Sequence, residues 1–201
     1  MHRFLFLLLV AATARAEVLC ALGPHAEAYK ANADDRPSAD VMQLARRVNM
    51  ALKPACTPRC PEIAIFRNPS APNLALMATE DQAKVVYAPQ FFSAIYDKFG
   101  DGAIIAVIAH EYGHALAETT PVAWIKSTWN IELRADAWAG CALAKNNVAA
   151  KDLKEAVDAL AQYPPVSHPD WSQRLTALKA GYTHCGGNQA PLAGAPPVTR
   201  K

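Results

Sequence analysis

The feature that most constrains this chain is an apolar run, Ala103 to Ala109, that passes without a break into His110-Glu111-Tyr112-Gly113-His114. A helix over 101–118 carrying that run belongs inside a protein core, because a lipid-facing helix does not tolerate a His-Glu pair at that point. At 100° per residue, His110 and His114 lie about 40° apart on one helical face, one turn apart. Both imidazoles can therefore reach a single ion. Glu111 falls about 60° from His114, near enough to touch a water at that ion but not positioned as a third ligand. Neutral imidazole suits Zn²⁺, and an open coordination position separates a catalytic zinc site from a structural one. Two core histidines spaced by four would give the same pattern, so a third ligand has to be found elsewhere.

Glu132-Leu133-Arg134-Ala135-Asp136 places two carboxylates at i and i+4 on one face of a second helix. On a solvated helix this would be ordinary charge patterning. Here the neighbours are Trp129, Ile131, Leu133, Ala135, Ala137 and Trp138, which mark a partly buried helix where a free carboxylate is costly. A metal for Glu132 and an imidazole N–H for Asp136 would remove that cost.

The remaining composition narrows the setting. Met1-His2-Arg3, the apolar stretch Phe4 to Ala12 and the Ala14-Arg15-Ala16 end have the three parts of a secretory signal peptide. Cleavage is expected after Ala16, and the stretch is too short for a membrane span, which takes roughly 20 apolar residues. Val18-Leu19 before Cys20 lacks the small residue of a lipidation site. Without Arg3 and Arg15, the 20 basic residues fall to 18 against 18 acidic ones. No basic stripe is left to bind nucleic acid or an anionic membrane. The expectation is an exported chain, periplasmic or extracellular, with no membrane span after processing. Oligomeric state is not readable.

Cys20, Cys56, Cys60, Cys141 and Cys185 would all meet an oxidising compartment. The expected pairs are Cys56–Cys60, across a Pro-containing turn, and Cys141–Cys185, stapling the last helix to the Glu132 helix. Cys20 could displace either partner. Reading Cys56 and Cys60 as half of a zinc site fails for want of a second cysteine pair at ligand spacing.

Helical spacing of apolar residues is expected over His25–Leu52, ending near Pro54. Short strands follow at Ile63–Phe66, Asn73–Ala78 and Lys84–Tyr87, then helices over 91–99, 101–118, 129–145, 151–162 and 170–180. The expected fold is α+β: one helix-dominated domain over 17–185, with a small, mostly antiparallel sheet beside the His110 helix. The Gly- and Pro-rich stretch 186–201 is expected to be a disordered tail.

HEYGH followed by Glu132-Leu133-Arg134-Ala135-Asp136 resembles the gluzincin metallopeptidases, which use His-Glu-x-x-His plus Glu-x-x-x-Asp. The closest likeness is to the CAAX-prenyl-protease-like peptidases and the neutral zinc metallopeptidases of bacteria. Asn73–Ala78 resembles the strand those families run beside the cleft, and Ser167-His168-Pro169 through Arg174-Leu175 resembles their downstream motif. The likeness covers about 73–182, and residues 17–60 match none of these families. It implies a zincin-like fold with His110, His114 and Glu132 as Zn²⁺ ligands and Glu111 as catalytic base. Asp136 would then pair with a ligand imidazole, His110 before His114. His168 would be catalytic or the cap of a helix. Arg174 would stabilise the oxyanion, organise the site, or form an ion pair with Asp136 or Glu132.

Two departures qualify the likeness. CAAX-type relatives are membrane-embedded and this chain has no spans, so prenylated substrates do not follow. Ala117 and Thr120 stand where a third-histidine extension would need Gly and His. The expected activity is zinc-dependent endopeptidase cleavage of peptides or unfolded proteins, with the substrate strand expected to pair along an exposed edge at Asn73–Ala78. A zinc-stabilised non-catalytic binding or chaperone-like domain, a zinc amidase acting on cell-wall peptides, and a protease held latent by residues 17–60 or a partner are the alternatives.

Overall fold

The computed structural model describes residues 17–22, 29–56, 60–61, 63–71, 73–78, 83–162 and 169–188. The signal peptide read over 1–16 and most of the expected tail lie outside them. The elements are β1 (Glu17–Leu22), α1 (Ala39–Cys56), β2 (Ala64–Arg67), β3 (Leu74–Ala78), β4 (Ala83–Tyr87), α2 (Pro89–Thr119), α3 (Ile131–Lys145), α4 (Ala150–Gln162) and α5 (Trp171–His184). The helix-dominated α+β class expected from the sequence is the one observed.

The sheet order is β1-β3-β4-β2. β3 pairs antiparallel with β1 and with β4, but β2 runs parallel to β4. The sheet is therefore mixed, because β4 folds back between β3 and β2. Neither β1 nor this parallel pairing follows from the alternation of apolar residues along single strands. Residues 29–38 also depart from the helix expected there. Only Ala31–Ala33 makes a short 3₁₀ turn, and α1 begins after Pro37-Ser38, where Ser38 Oγ accepts from the Val41 N–H at 3.4 Å. Pro fixes an extended entry and Ser caps the first turn. The buried Asn68 amide ties the preceding stretch to the sheet, donating to Lys30 O at 2.9 Å and Asp34 Oδ1 at 2.7 Å.

The core forms around α2, whose residues from Gly102 to Leu116 are all buried. Gly100, at φ 72°, breaks the helical path, so the segments on either side aim differently. Three other glycines set helix spacing. A Cβ on Gly113 would sit 2.8 Å from the Ala135 backbone and 3.0 Å from Trp138 Cβ, so α2 and α3 touch at the motif itself. A methyl at Gly140 would overlap the Leu178 carbonyl, and one at Gly181 the Ala137 carbonyl. These reciprocal contacts bring α3 and α5 to backbone contact, one turn from Asp136 on α3 and two from Arg174 on α5.

Cys56–Cys60 and Cys141–Cys185 are both bonded, the pairs expected from the sequence. The second staples α3 to the end of α5 and fits an oxidising compartment. Among the described residues no helix is long and apolar enough to cross a membrane.

Candidate metal centre

His110 and His114 come from the buried middle of α2, and Glu132 from the first turn of α3. Asn130 starts that turn by accepting the Leu133 N–H on its side chain at 3.0 Å. Arg134 anchors the incoming loop, donating to Trp129 O and Ser127 O at 2.8 Å each. Because Gly113 lets α3 lie against α2, Glu132 reaches the histidine pair directly.

The three donors form a near-equilateral triangle. His110 Nε2 and His114 Nε2 are 3.2 Å apart. Glu132 Oε2 lies 3.4 Å from the first and 3.5 Å from the second. A tetrahedral ion with bonds of about 2.0–2.1 Å spaces its ligands about 3.3 Å apart, so the triangle already has the dimensions of a coordination face. Among the described residues, His110, His114 and Glu132 form a group able to hold a metal ion.

Behind the triangle stands a buried polar chain. His110 Nδ1 is 3.0 Å from Asp136 Oδ1. Arg174 closes on Asp136 from α5 with two parallel bonds, Nε to Oδ2 at 2.8 Å and Nη2 to Oδ1 at 2.9 Å. Its remaining nitrogen, Nη1, donates to Leu160 O at 3.3 Å. Asp136 and Arg174 are each 1% exposed, and the bidentate geometry offsets much of the cost of burying them. A carboxylate facing Nδ1 keeps the proton there and leaves Nε2 as the metal donor. Of the roles the sequence left open to Arg174, the ion pair with Asp136 is the one present.

Glu111 is fully buried and anchored by one oxygen: Oε2 accepts the Leu76 N–H of β3 at 3.0 Å. Its other oxygen, Oε1, has no hydrogen-bond partner among the described residues. Burial raises the Glu111 carboxyl to about 7, with nearby His110 lowering it and Glu132 raising it. For His110 burial works downward, but Asp136 and Glu132 outweigh it and lift the imidazole to about 9. Burial also works against Asp136, yet Arg174 and His110 hold it below its ordinary value.

These directions predict how metal and protons compete. At pH 7 the metal-free His110 carries a proton that an ion at Nε2 must displace. Calorimetry in buffers of different ionisation enthalpy should show release of about one proton per ion, and no release would contradict the assignment. Both groups have folded pKa values above their ordinary 6.5 and 4.5, so the metal-free fold binds more protons than the unfolded chain. Its melting temperature should fall as pH rises through about 7 and on through about 9.

No protein family, curated protein or solved structure matches this chain. The site therefore stands on its own geometry. His168 lies outside the described residues. The sequence offered no sign of the Leu76 amide, because a backbone N–H carries no residue signature. Gly113 was visible in the motif, and its spacing role was readable only once α3 lay against it.

Proposed function

We propose that the chain is an exported zinc-dependent endopeptidase that hydrolyses peptide bonds in extended or unfolded polypeptides. One observation carries this reading: Glu111 is a buried acid beside three metal donors, with Oε2 anchored on Leu76 and Oε1 without a hydrogen-bond partner among the described residues. A purely structural site has no use for such an acid. Two imidazoles and one carboxylate are a donor set that zinc takes in catalytic sites.

When bound, the ion supplies Lewis acidity toward water and a peptide carbonyl. The chain's residues do the rest. His110, His114 and Glu132 hold the ion, while Asp136 and Arg174 fix the orientation and tautomer of His110. Glu111 Oε1 takes a proton from the attacking water and delivers it to the departing amine nitrogen. The Leu76 bond keeps the carboxylate from rotating away during the exchange. The signal-peptide reading of residues 1–16 and the two disulfides support export.

Metal removal tests the reading. Chelated protein should lose cleavage of denatured casein and regain it with one equivalent of zinc. A zinc-loaded, folded protein inert on every unfolded substrate would favour the non-catalytic alternative.

A further inference from the structure

The edge at Asn73–Ala78, expected to be open for a substrate strand, is taken. β3 is bonded to β4 on one side and to β1 on the other. Backbone alternation shows which side faces the acid. The Ala88 N–H donates to Asn73 O at 2.6 Å, so that carbonyl points toward β4 and the Leu74 N–H, in the same peptide plane, points away from it. Successive residues alternate, so the Leu76 N–H also points to the β1 side, and it is this N–H that Glu111 accepts. Glu111 therefore sits on the lane that β1 runs along.

The β1–β3 register is interrupted at the same place. Val18 faces Met77 and Cys20 faces Leu76, so Leu19 is an extra residue next to the Cys20–Leu76 pair, whose Leu76 N–H is diverted to Glu111. β1 is an edge strand held to the sheet by one ladder of five paired positions. Its ladder with β3 is made of main-chain groups, which any extended polypeptide can reproduce.

We infer that Glu17–Leu22 is a displaceable strap lying in the polypeptide lane beside Glu111, so the chain holds its own cleft closed until another extended strand replaces β1. The inference rests on the peptidase reading for what the lane is used for, but not for the occupancy of the lane. The kind of partner it fits is an extended backbone of about six residues, bonded antiparallel to β3.

Leu74 and Leu76 face β1, so their partners Leu22 and Cys20 are the residues whose N–H groups turn toward β3. The test compares full-length Cys20→Pro/Leu22→Pro with a Cys20→Ala control, using a fluorescent hexapeptide of residues 17–22 carrying serine at the cysteine position. The proline variant should bind this probe at least tenfold more tightly than the control. It should also cleave denatured casein several-fold faster, and excess hexapeptide should suppress that gain. A folded proline variant with no gain in probe binding overturns the strap, and so does one that no longer folds, since β1 would then be an integral strand. A gain in probe binding without hydrolysis by either protein upholds the strap and removes the peptidase reading.

Discussion

Glu111→Gln is expected to lower hydrolysis of an unfolded protein by about 10²–10⁴-fold, the range typical for loss of a positioned acid–base group, while zinc content stays unchanged. Glutamine has the same length, and its amide oxygen can still accept the Leu76 N–H that anchors Glu111 Oε2. What it cannot do is take a proton at the position of Oε1. Because the carboxylate is disfavoured by burial, the variant should be at least as stable as the parent. Unchanged activity would remove Glu111 from the chemistry, even with the ion in place.

The second large effect is expected from Arg174→Met. The guanidinium makes two bonds to Asp136 and one to Leu160 O, all in the interior. Among the described residues this leaves the buried carboxylate facing His110 without its guanidinium, a loss that typically costs about 3–5 kcal/mol. For a chain of this size that corresponds to a melting temperature lower by on the order of 10 °C. Zinc affinity should fall by about 10–100-fold as His110 loses its fixed orientation. Adding Asp136→Leu should restore much of the stability, since the stranded charge is gone, but none of the affinity. If stability and affinity recover together, Arg174 has no orienting role and serves packing alone.

Much of the site was legible because helical spacing puts side chains on faces. His110 with His114, and Glu132 with Asp136, are each four residues apart, and the apolar neighbours marked both helices as buried. The disulfide pairs were legible for a similar reason, one pair bridging a short turn and the other two predicted helices. Three features were not. Glu17–Leu22 is a short, nearly continuous apolar stretch without alternation, and only its register with β3 identifies it as a strand. The parallel pairing of β2 with β4 depends on how β4 folds back, a long-range property. Arg174 could have met either Asp136 or Glu132, and the backbone contacts at Gly140 and Gly181 decide for Asp136 by setting the distance between α3 and α5. Glycine in a helix reads as a local cost until the neighbouring backbone that needs the space is known.

In the proposed site His110, His114 and Glu132 hold one ion together. X-ray absorption at the zinc edge of the loaded protein tests it most directly. The expected result is one equivalent of zinc with two imidazole nitrogens and carboxylate or water oxygens at about 2.0–2.1 Å, and loss of that signature in Glu132→Ala. Sulfur scatter near 2.3 Å, or an unchanged spectrum in Glu132→Ala, would contradict it.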